Sequence, residues 1–194
     1  WIPIVVGPAA GGRLLAAGLI AGSGGTQAWT RRRRAASLLA TVVLGASIVV
    51  GLLGAYFHFV RAILPTAPAG ERVTLDLLIW APPILGPLTF SLVGLMGISA
   101  AWLEEPPGSG RLLIFGDRHV RLPYSKTRAY LFMVSLGTLA TVISAVLDHA
   151  RTHFENPWLW VPTVAGVLGT VVAAALGALD SPGTWDVRFY AWTM

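Results

Sequence analysis

Long apolar blocks separated by short polar segments dominate this sequence. Five blocks reach the roughly 20 mostly apolar residues that a helix needs to cross a bilayer. They cover residues 1–21, 36–64, 75–102, 129–150 and 157–179. Nearly all charged residues lie between the blocks or at their ends. The pattern therefore predicts an all-α fold, an integral membrane bundle of about five transmembrane helices that forms a single membrane domain over residues 1–194.

Two of the blocks depart from a regular apolar helix. The first contains Arg13 and several glycines. The third contains Pro82, Pro83 and Pro87, which remove backbone donors and clash with the preceding turn. A kink or a local break is therefore predicted in the third block, where neighbouring helices or water can satisfy the freed carbonyls.

The basic residues of the loops predict an orientation, because cytoplasmic loops are rich in Lys and Arg. Two loops are rich in these residues. The loop after the first block carries Arg31, Arg32, Arg33 and Arg34, and the loop at 103–128 carries Arg111, Arg118, Arg121, Lys126 and Arg128. Both loops are expected in the cytoplasm, with the N-terminus outside and the C-terminus cytoplasmic. The four-arginine run is also expected to contact anionic lipid; an acidic partner is the alternative.

Composition agrees with a chain surrounded by lipid. Hydrophobic residues make up 55% and charged residues 12% of the chain, whereas soluble proteins have roughly a quarter of their residues charged. The net charge of +5 is concentrated between apolar blocks, which argues against nucleic acid as a partner. The sequence contains no cysteine, so disulfides and thiolate-bound metals on this chain are excluded. Arginine largely replaces lysine, which is typical of a GC-rich bacterium and favours the bacterial inner membrane.

Two short apolar runs within 103–128 flank Gly116 and Asp117. This arrangement predicts a small β-hairpin on the membrane surface. The hairpin offers an edge for a partner, or forms a self-contained surface loop.

Ionisable side chains collect at the helix ends that the predicted orientation places outside, and such groups are expensive near a membrane. His149 and His153 are four residues apart, which predicts one helical face. With Asp148 and Glu155 they form a candidate copper or iron site. His58 is a candidate axial ligand of haem b, together with His149 or His153.

Stripes of small residues offer a structural interpretation of the same helices. They comprise Ser47, Gly51 and Gly54; Gly137, Thr141 and Ala145; and Gly169, Ala173 and Gly177. Such stripes favour close helix packing. The alternative is that the first two leave room for a flat cofactor such as haem. The three stripes are also expected to leave surfaces that bind neighbouring protein subunits, which supports a place in a larger complex.

The segment Trp1-Ile2-Pro3-Ile4-Val5-Val6-Gly7 is similar to Trp160-Val161-Pro162-Thr163-Val164-Ala165-Gly166. Together with outer histidines on the second and fourth blocks, this similarity suggests a parallel internal repeat. A further helix with an outer histidine is then expected before Trp1. The Trp-x-Pro segments, the histidines and the motif Ala81-Pro82-Pro83-Ile84-Leu85-Gly86-Pro87-Leu88 resemble uncharacterised bacterial multi-pass membrane proteins, a resemblance that implies no activity or cofactor.

The sequence contains no P-loop, nucleophile elbow, zinc-protease motif or dinucleotide fingerprint. The leading hypothesis is therefore a non-catalytic accessory or structural subunit of a larger bacterial membrane complex. The choice of a respiratory or photosynthetic complex rests on base rates and not on any residue of the sequence. Its expected partners are other membrane subunits and lipids. The first alternative is a haem- or metal-binding redox protein that uses the outer histidines. The second is a small transporter or channel that depends on Arg13 or the Pro82-Pro83 break.

Overall fold

The structure is a computed structural model that describes residues 26–64, 74–80, 84–115 and 118–194, together with the single positions 9, 12, 13 and 16. This part of the chain is mostly helical. Its α-helices are α1 Thr26–His58, α2 Leu75–Trp80, α3 Leu85–Ala101, α4 Lys126–Ala150, α5 Trp160–Ala178 and α6 Thr184–Thr193. A π-helix follows α1 at Phe59–Ile63, and a 3-10 turn precedes α5 at Pro157–Leu159. A small sheet joins β1 Leu103–Glu104, β2 Arg111–Phe115 and β3 Arg118–Arg121.

Three segments of the described chain are long and apolar enough to span a membrane. They are Arg34–Arg61, Lys126–Ala150 and Pro157–Ala178. Between 22% and 28% of each apolar window is buried inside the protein, so most of each surface is left for lipid or for other proteins. The prediction of transmembrane helices is supported, whereas the number five is not confirmed. The predicted block at 1–21 lies outside the described residues, apart from the four single positions.

The helix that contains the second apolar block begins ten residues earlier than predicted. Helix α1 starts at Thr26, so the four-arginine run lies in the helix and not in a loop. The physical reason is that Arg is a good helix former and the run contains neither Gly nor Pro. The side chain of Arg34 is exposed. At its other end, α1 continues as the π-helix Phe59–Ile63.

The predicted break in the third block is confirmed. Helix α2 ends at Trp80 and α3 begins at Leu85, so the segment 75–102 forms two helices. Pro82 and Pro83 lie outside the described residues. Pro87 falls in the first turn of α3, where a missing backbone donor costs no helical hydrogen bond. With 17 residues, α3 is shorter than the three candidate spans.

The described chain divides into two compact units. The first contains residues 1–49 and 90–129. Here α3 approaches α1 closely, because a Cβ at Gly94 would lie 2.6 Å from the carbonyl oxygen of Leu44. Beside it, Ser91 Oγ donates to the carbonyl oxygen of Ile48 at 2.9 Å. Small residues on α3 therefore bring the two backbones into contact, as is usual for helices in lipid.

The sheet also belongs to the first unit and is antiparallel in the order β1-β2-β3. Strands β2 and β3 confirm the predicted hairpin, while Gly116 and Asp117 lie outside the described residues. Strand β1 was not predicted. Leu112, which is 3% exposed, packs the sheet into the interior of the unit. Gly110 has φ +70°, and a Cβ there would meet the carbonyl oxygens of Tyr124 and Leu122, so glycine is required.

The second unit contains residues 50–89 and 130–194. Ser135 Oγ donates to the carbonyl oxygen of Thr170 at 2.9 Å, and Thr170 Oγ1 donates to Thr138 Oγ1 at 3.0 Å, so polar contacts join α4 to α5. The third small stripe is buried, with Ala173 fully inaccessible. This stripe therefore packs within the chain itself. The expectation that it leaves an open surface for a protein neighbour is wrong.

Helix α6 packs against α5 and was not predicted. Its start is capped, because the Gly183 backbone N–H donates to Asp186 Oδ2 at 2.8 Å. Trp185 and Trp192 are 77% and 84% exposed, which suits the aromatic belt of a membrane interface. Burial, and in second place the neighbouring Tyr130, raise the pKa of the Tyr190 phenol.

Candidate functional site

Glu104 fixes the sheet to the start of α4 in the first unit. Its Oε1 accepts the backbone N–H of Gly110 at 2.7 Å and that of Lys126 at 2.9 Å. Lys126 is the first residue of α4, so the carboxylate satisfies a donor that the helix itself leaves unpaired and lies at the positive end of the helix dipole. Burial raises the pKa of Glu104, but the N–H groups of Lys126, Gly110 and Gly108 and the Lys126 charge outweigh it, and the pKa lies below its ordinary value.

Further hydrogen bonds attach the sheet to α1 and to the end of α3. Ser37 Oγ on α1 donates to the carbonyl oxygens of Ala101 and Ile114, at 3.4 and 3.3 Å. Trp102 Nε1 donates to Thr41 Oγ1 at 2.9 Å. The Lys126 ammonium donates to the carbonyl oxygen of Trp102 at 3.1 Å, as a further tie. The sheet is therefore held at a fixed position within its unit.

The outer strand of this sheet is basic. All four residues of β3 are exposed, and β3 carries no further strand on its other side in the part of the chain that is described. Arg121 on β3 lies directly opposite Arg111 on β2. Arg111 Nη2 also donates to His119 Nδ1 at 3.4 Å. Like charges directly opposite each other destabilise a sheet, so an anion bound here would relieve a repulsion that the fold tolerates.

A comparison with protein families, curated proteins and solved structures finds no match to this chain. Two surfaces of the described chain are candidate sites on their geometry alone. The sheet edge in the first unit, which we call the basic edge (Arg111 with β3), is one. The second is the polar cluster at the end of α4, in the second unit.

The structure does not form the predicted histidine face at the end of α4. The helix ends at Ala150, and His153 and Phe154 adopt φ values of +50° and +55°. The backbone N–H of Phe154 turns back to the carbonyl oxygen of His149 at 3.3 Å. The spacing of His149 and His153 is that of a helix, but Pro157 lies close ahead and the chain leaves the helix before His153 is reached.

Other members of this cluster are brought together. Arg151 Nε donates to the carbonyl oxygen of Ile79 at 2.6 Å, which ties the end of α4 to α2. Arg151 Nη1 lies 3.7 Å from Asp148 Oδ1. The His149 ring contacts Phe154 edge to face at 6.3 Å between centroids. Arg151 thus places a fixed positive charge beside the Asp148 carboxylate.

Phe154 in turn stacks on Trp160, with the two rings 4.8 Å apart at an angle of 22°. Glu155 and His153 are exposed on the turn between α4 and α5. This stacking packs the turn against Trp160, the first residue of α5.

His58 lies at the end of α1, where the π-helix begins. Its Nδ1 is buried and makes no hydrogen bond in the described structure. Among the described residues, no group of three or more His, Asp or Glu side chains could hold a metal ion. The predicted set of Asp148, His149, His153 and Glu155 is therefore not assembled, because the helix ends within it. Haem binding by His58 and one other histidine stays a prediction.

Sequence reasoning missed the residues that fix the sheet, namely Glu104, Trp102 and Lys126. Strand β1 has two residues, too few for an alternating pattern to be visible. The sequence contains one indication of this role, since Glu104 lies just before a Pro-Pro-Gly turn that leads to strand β2. Its two hydrogen bonds, however, join residues that are 6 and 22 positions away in the chain.

Proposed function

We propose that this protein is a non-catalytic accessory subunit of a larger bacterial membrane complex, with the basic edge as the place where a partner docks. The observation that carries the proposal is the exposed strand β3, an edge strand whose Arg121 faces Arg111. An exposed edge strand presents unpaired backbone groups that readily accept another strand.

The orientation supports the same function. The positive-inside rule assigns the basic loop to the cytoplasm, where soluble partners and the cytoplasmic parts of other subunits are found. An acidic extended segment of a partner subunit suits this edge best. Its backbone would add to β3, and its carboxylates would lie near Arg111, Arg118 and Arg121.

The rigidity of the sheet is a second support. Glu104, Ser37 and Trp102 fix the sheet within its unit through hydrogen bonds. A surface that is already ordered loses little conformational entropy when a partner binds. The basic edge is therefore better suited to stable docking than an unanchored loop of the same charge would be.

Purification from the native membrane in a mild detergent, with mass spectrometry of the co-migrating proteins, tests this function. The wild-type chain is expected to bring down one or more membrane proteins in fixed ratio. Arg121→Glu places a negative charge on the edge, and like-charge contacts at an interface cost several kcal/mol, so recovery of the partner is expected to fall by about tenfold or more.

The matched control is Arg188→Glu, the same change at an exposed position of α6. It is expected to leave partner recovery at the wild-type level. A wild-type chain that migrates alone would contradict the subunit function. A partner retained equally by both variants would contradict docking at the basic edge.

A further inference from the structure

Helix α6 runs back along α5 within the second unit. Residues 179–183 join the end of α5 at Ala178 to the start of α6 at Thr184, so these two ends are neighbours. The other end of α6 reaches the middle of α5, because a Cβ at Gly169 would lie 3.3 Å from Met194 Sδ. The two helices are therefore antiparallel.

This arrangement places α6 beside a candidate membrane span, since α5 forms most of Pro157–Ala178. At 1.5 Å per residue, the distance from Ala178 back to Gly169 is about 14 Å along α5, and that from Thr184 to Met194 is about 15 Å along α6. Both lengths are close to half of the roughly 30 Å thickness of the hydrocarbon core. Where α5 crosses a bilayer, the far end of α6 consequently lies near its middle.

Aromatic side chains occupy the side of α6 that is turned away from α5. The exposed residues of this side are three and four positions apart, namely Trp185, Arg188, Phe189 and Trp192. Tyr190 and Thr193, on the opposite side, are half-buried. The Arg188 guanidinium lies 5.7 Å from the centroid of the Trp185 ring, so it points back towards the start of the helix.

The residue types on this side favour lipid over a protein neighbour. Where helices of this chain pack on each other, small residues such as Gly94 and Ala173 form the contact, as is usual in membranes. The free side of α6 presents bulky aromatic rings instead, which are typical of surfaces that meet lipid near a membrane interface. Its one charge, on Arg188, points to the shallow end, as a side chain does that reaches for the headgroups.

We infer that α6 is inserted in the membrane and returns along α5 from the side on which α5 ends. Trp185 and Arg188 then lie at the level of the headgroups, and lipid acyl chains cover Phe189 and Trp192. A helix is able to enter hydrocarbon because its backbone groups are paired within it. All of α6 belongs to the second unit, so its insertion does not depend on docking at the basic edge.

Electron paramagnetic resonance of spin-labelled variants measures the depth of α6. The chain contains no cysteine, so Trp185→Cys and Trp192→Cys each carry a single nitroxide label. The protein, together with any partner that co-purifies, is returned to phosphatidylcholine vesicles. Collisions of the label with dissolved oxygen, which concentrates in hydrocarbon, are compared with collisions with a water-soluble nickel chelate.

The label at Trp192→Cys is expected to collide with oxygen and not with nickel. It should lie about 10 Å deeper than the label at Trp185→Cys, which is the length of seven helical residues. Val171→Cys, at an exposed position of α5, is the lipid reference and should match Trp192→Cys. Ser109→Cys, in the exposed turn between β1 and β2, is the water reference.

A substitute is at hand if Trp192→Cys lowers the yield of folded protein. Phe189→Cys on the same side of α6 should lie about 6 Å deeper than Trp185→Cys, at four helical residues.

Equal depths at the two ends of α6 would show a helix that lies flat on the membrane surface, and nickel collisions at both would show a helix in water. Few collisions of Trp192→Cys with either reagent would show that a protein subunit or a second copy covers this side. A Val171→Cys label that collides with nickel would show that α5 does not cross the bilayer. Each of these outcomes would overturn the inference.

Discussion

At the scale of single residues, Glu104 joins two elements of the first unit. It accepts two backbone hydrogen bonds, one from the β1–β2 turn and one from the first residue of α4. A charged acceptor with two donors is worth more than a neutral one. Glu104 thereby connects the sheet to a transmembrane helix through a single ionised group.

Glu104→Gln is expected to lower the free energy of unfolding by about 1 kcal/mol near neutral pH. The pKa of Glu104 is lowered from 4.5, so its contribution is present above pH 4.5 and is lost as the pH falls through the folded-state pKa. Thermal unfolding in detergent micelles at several pH values measures this. The difference between wild type and variant should shrink on acidification.

The neighbouring exposed carboxylate provides the control for that experiment. Glu105→Gln removes the same charge from the next residue and should leave the unfolding temperature nearly unchanged at every pH. If the two variants behave alike, Glu104 does not fix the sheet and the hydrogen-bond account of this anchor is wrong.

At the scale of elements, two helices pack closely where a small residue of one helix faces the backbone of the other. Gly94 on α3 faces Leu44 and Ile48 on α1, whereas Gly45 on α1 faces open space. The sequence shows glycines throughout these helices and does not distinguish the two kinds. The distinction depends on which residues of two distant segments meet, and only the folded structure contains that information.

Gly94→Ala is expected to destabilise the contact between α1 and α3 by about 1–3 kcal/mol, because the added methyl group would lie 2.6 Å from a backbone oxygen. Gly45→Ala adds the same methyl group with nothing within 4 Å, and should be neutral or slightly stabilising through helix propensity. Unfolding by a denaturing detergent, followed by circular dichroism, compares the two. Equal stability of the variants would show that α1 and α3 do not pack at Gly94.

At this scale, a helix can be predicted from the sequence when it is long and its apolar residues form a regular pattern. The spans at 126–150 and 157–178 were predictable because each is a long apolar run with short polar flanks. Helix α6 was missed because aromatic and charged residues are mixed along it without an apolar stripe. The end of α4 was misjudged at His153, because helical spacing alone cannot show where a helix stops.

At the scale of the whole molecule, the described chain contains three helices that are able to span a membrane, a basic sheet anchored in its first unit and a polar cluster in its second. The positive-inside rule predicts that the basic residues between 111 and 128 face the cytoplasm. The partner could not be predicted from the sequence, because a docking surface is shared between two chains and only one of them is known.

The predicted sidedness has a direct test, because the chain contains no cysteine. Ser109→Cys in the β1–β2 turn and Glu155→Cys after α4 each add one exposed thiol. A membrane-impermeant maleimide applied to intact cells should label Glu155→Cys at once, and Ser109→Cys only after the membrane is permeabilised. Labelling of both variants in intact cells, or of neither, would contradict a membrane-spanning α4, and the reverse order would contradict the orientation.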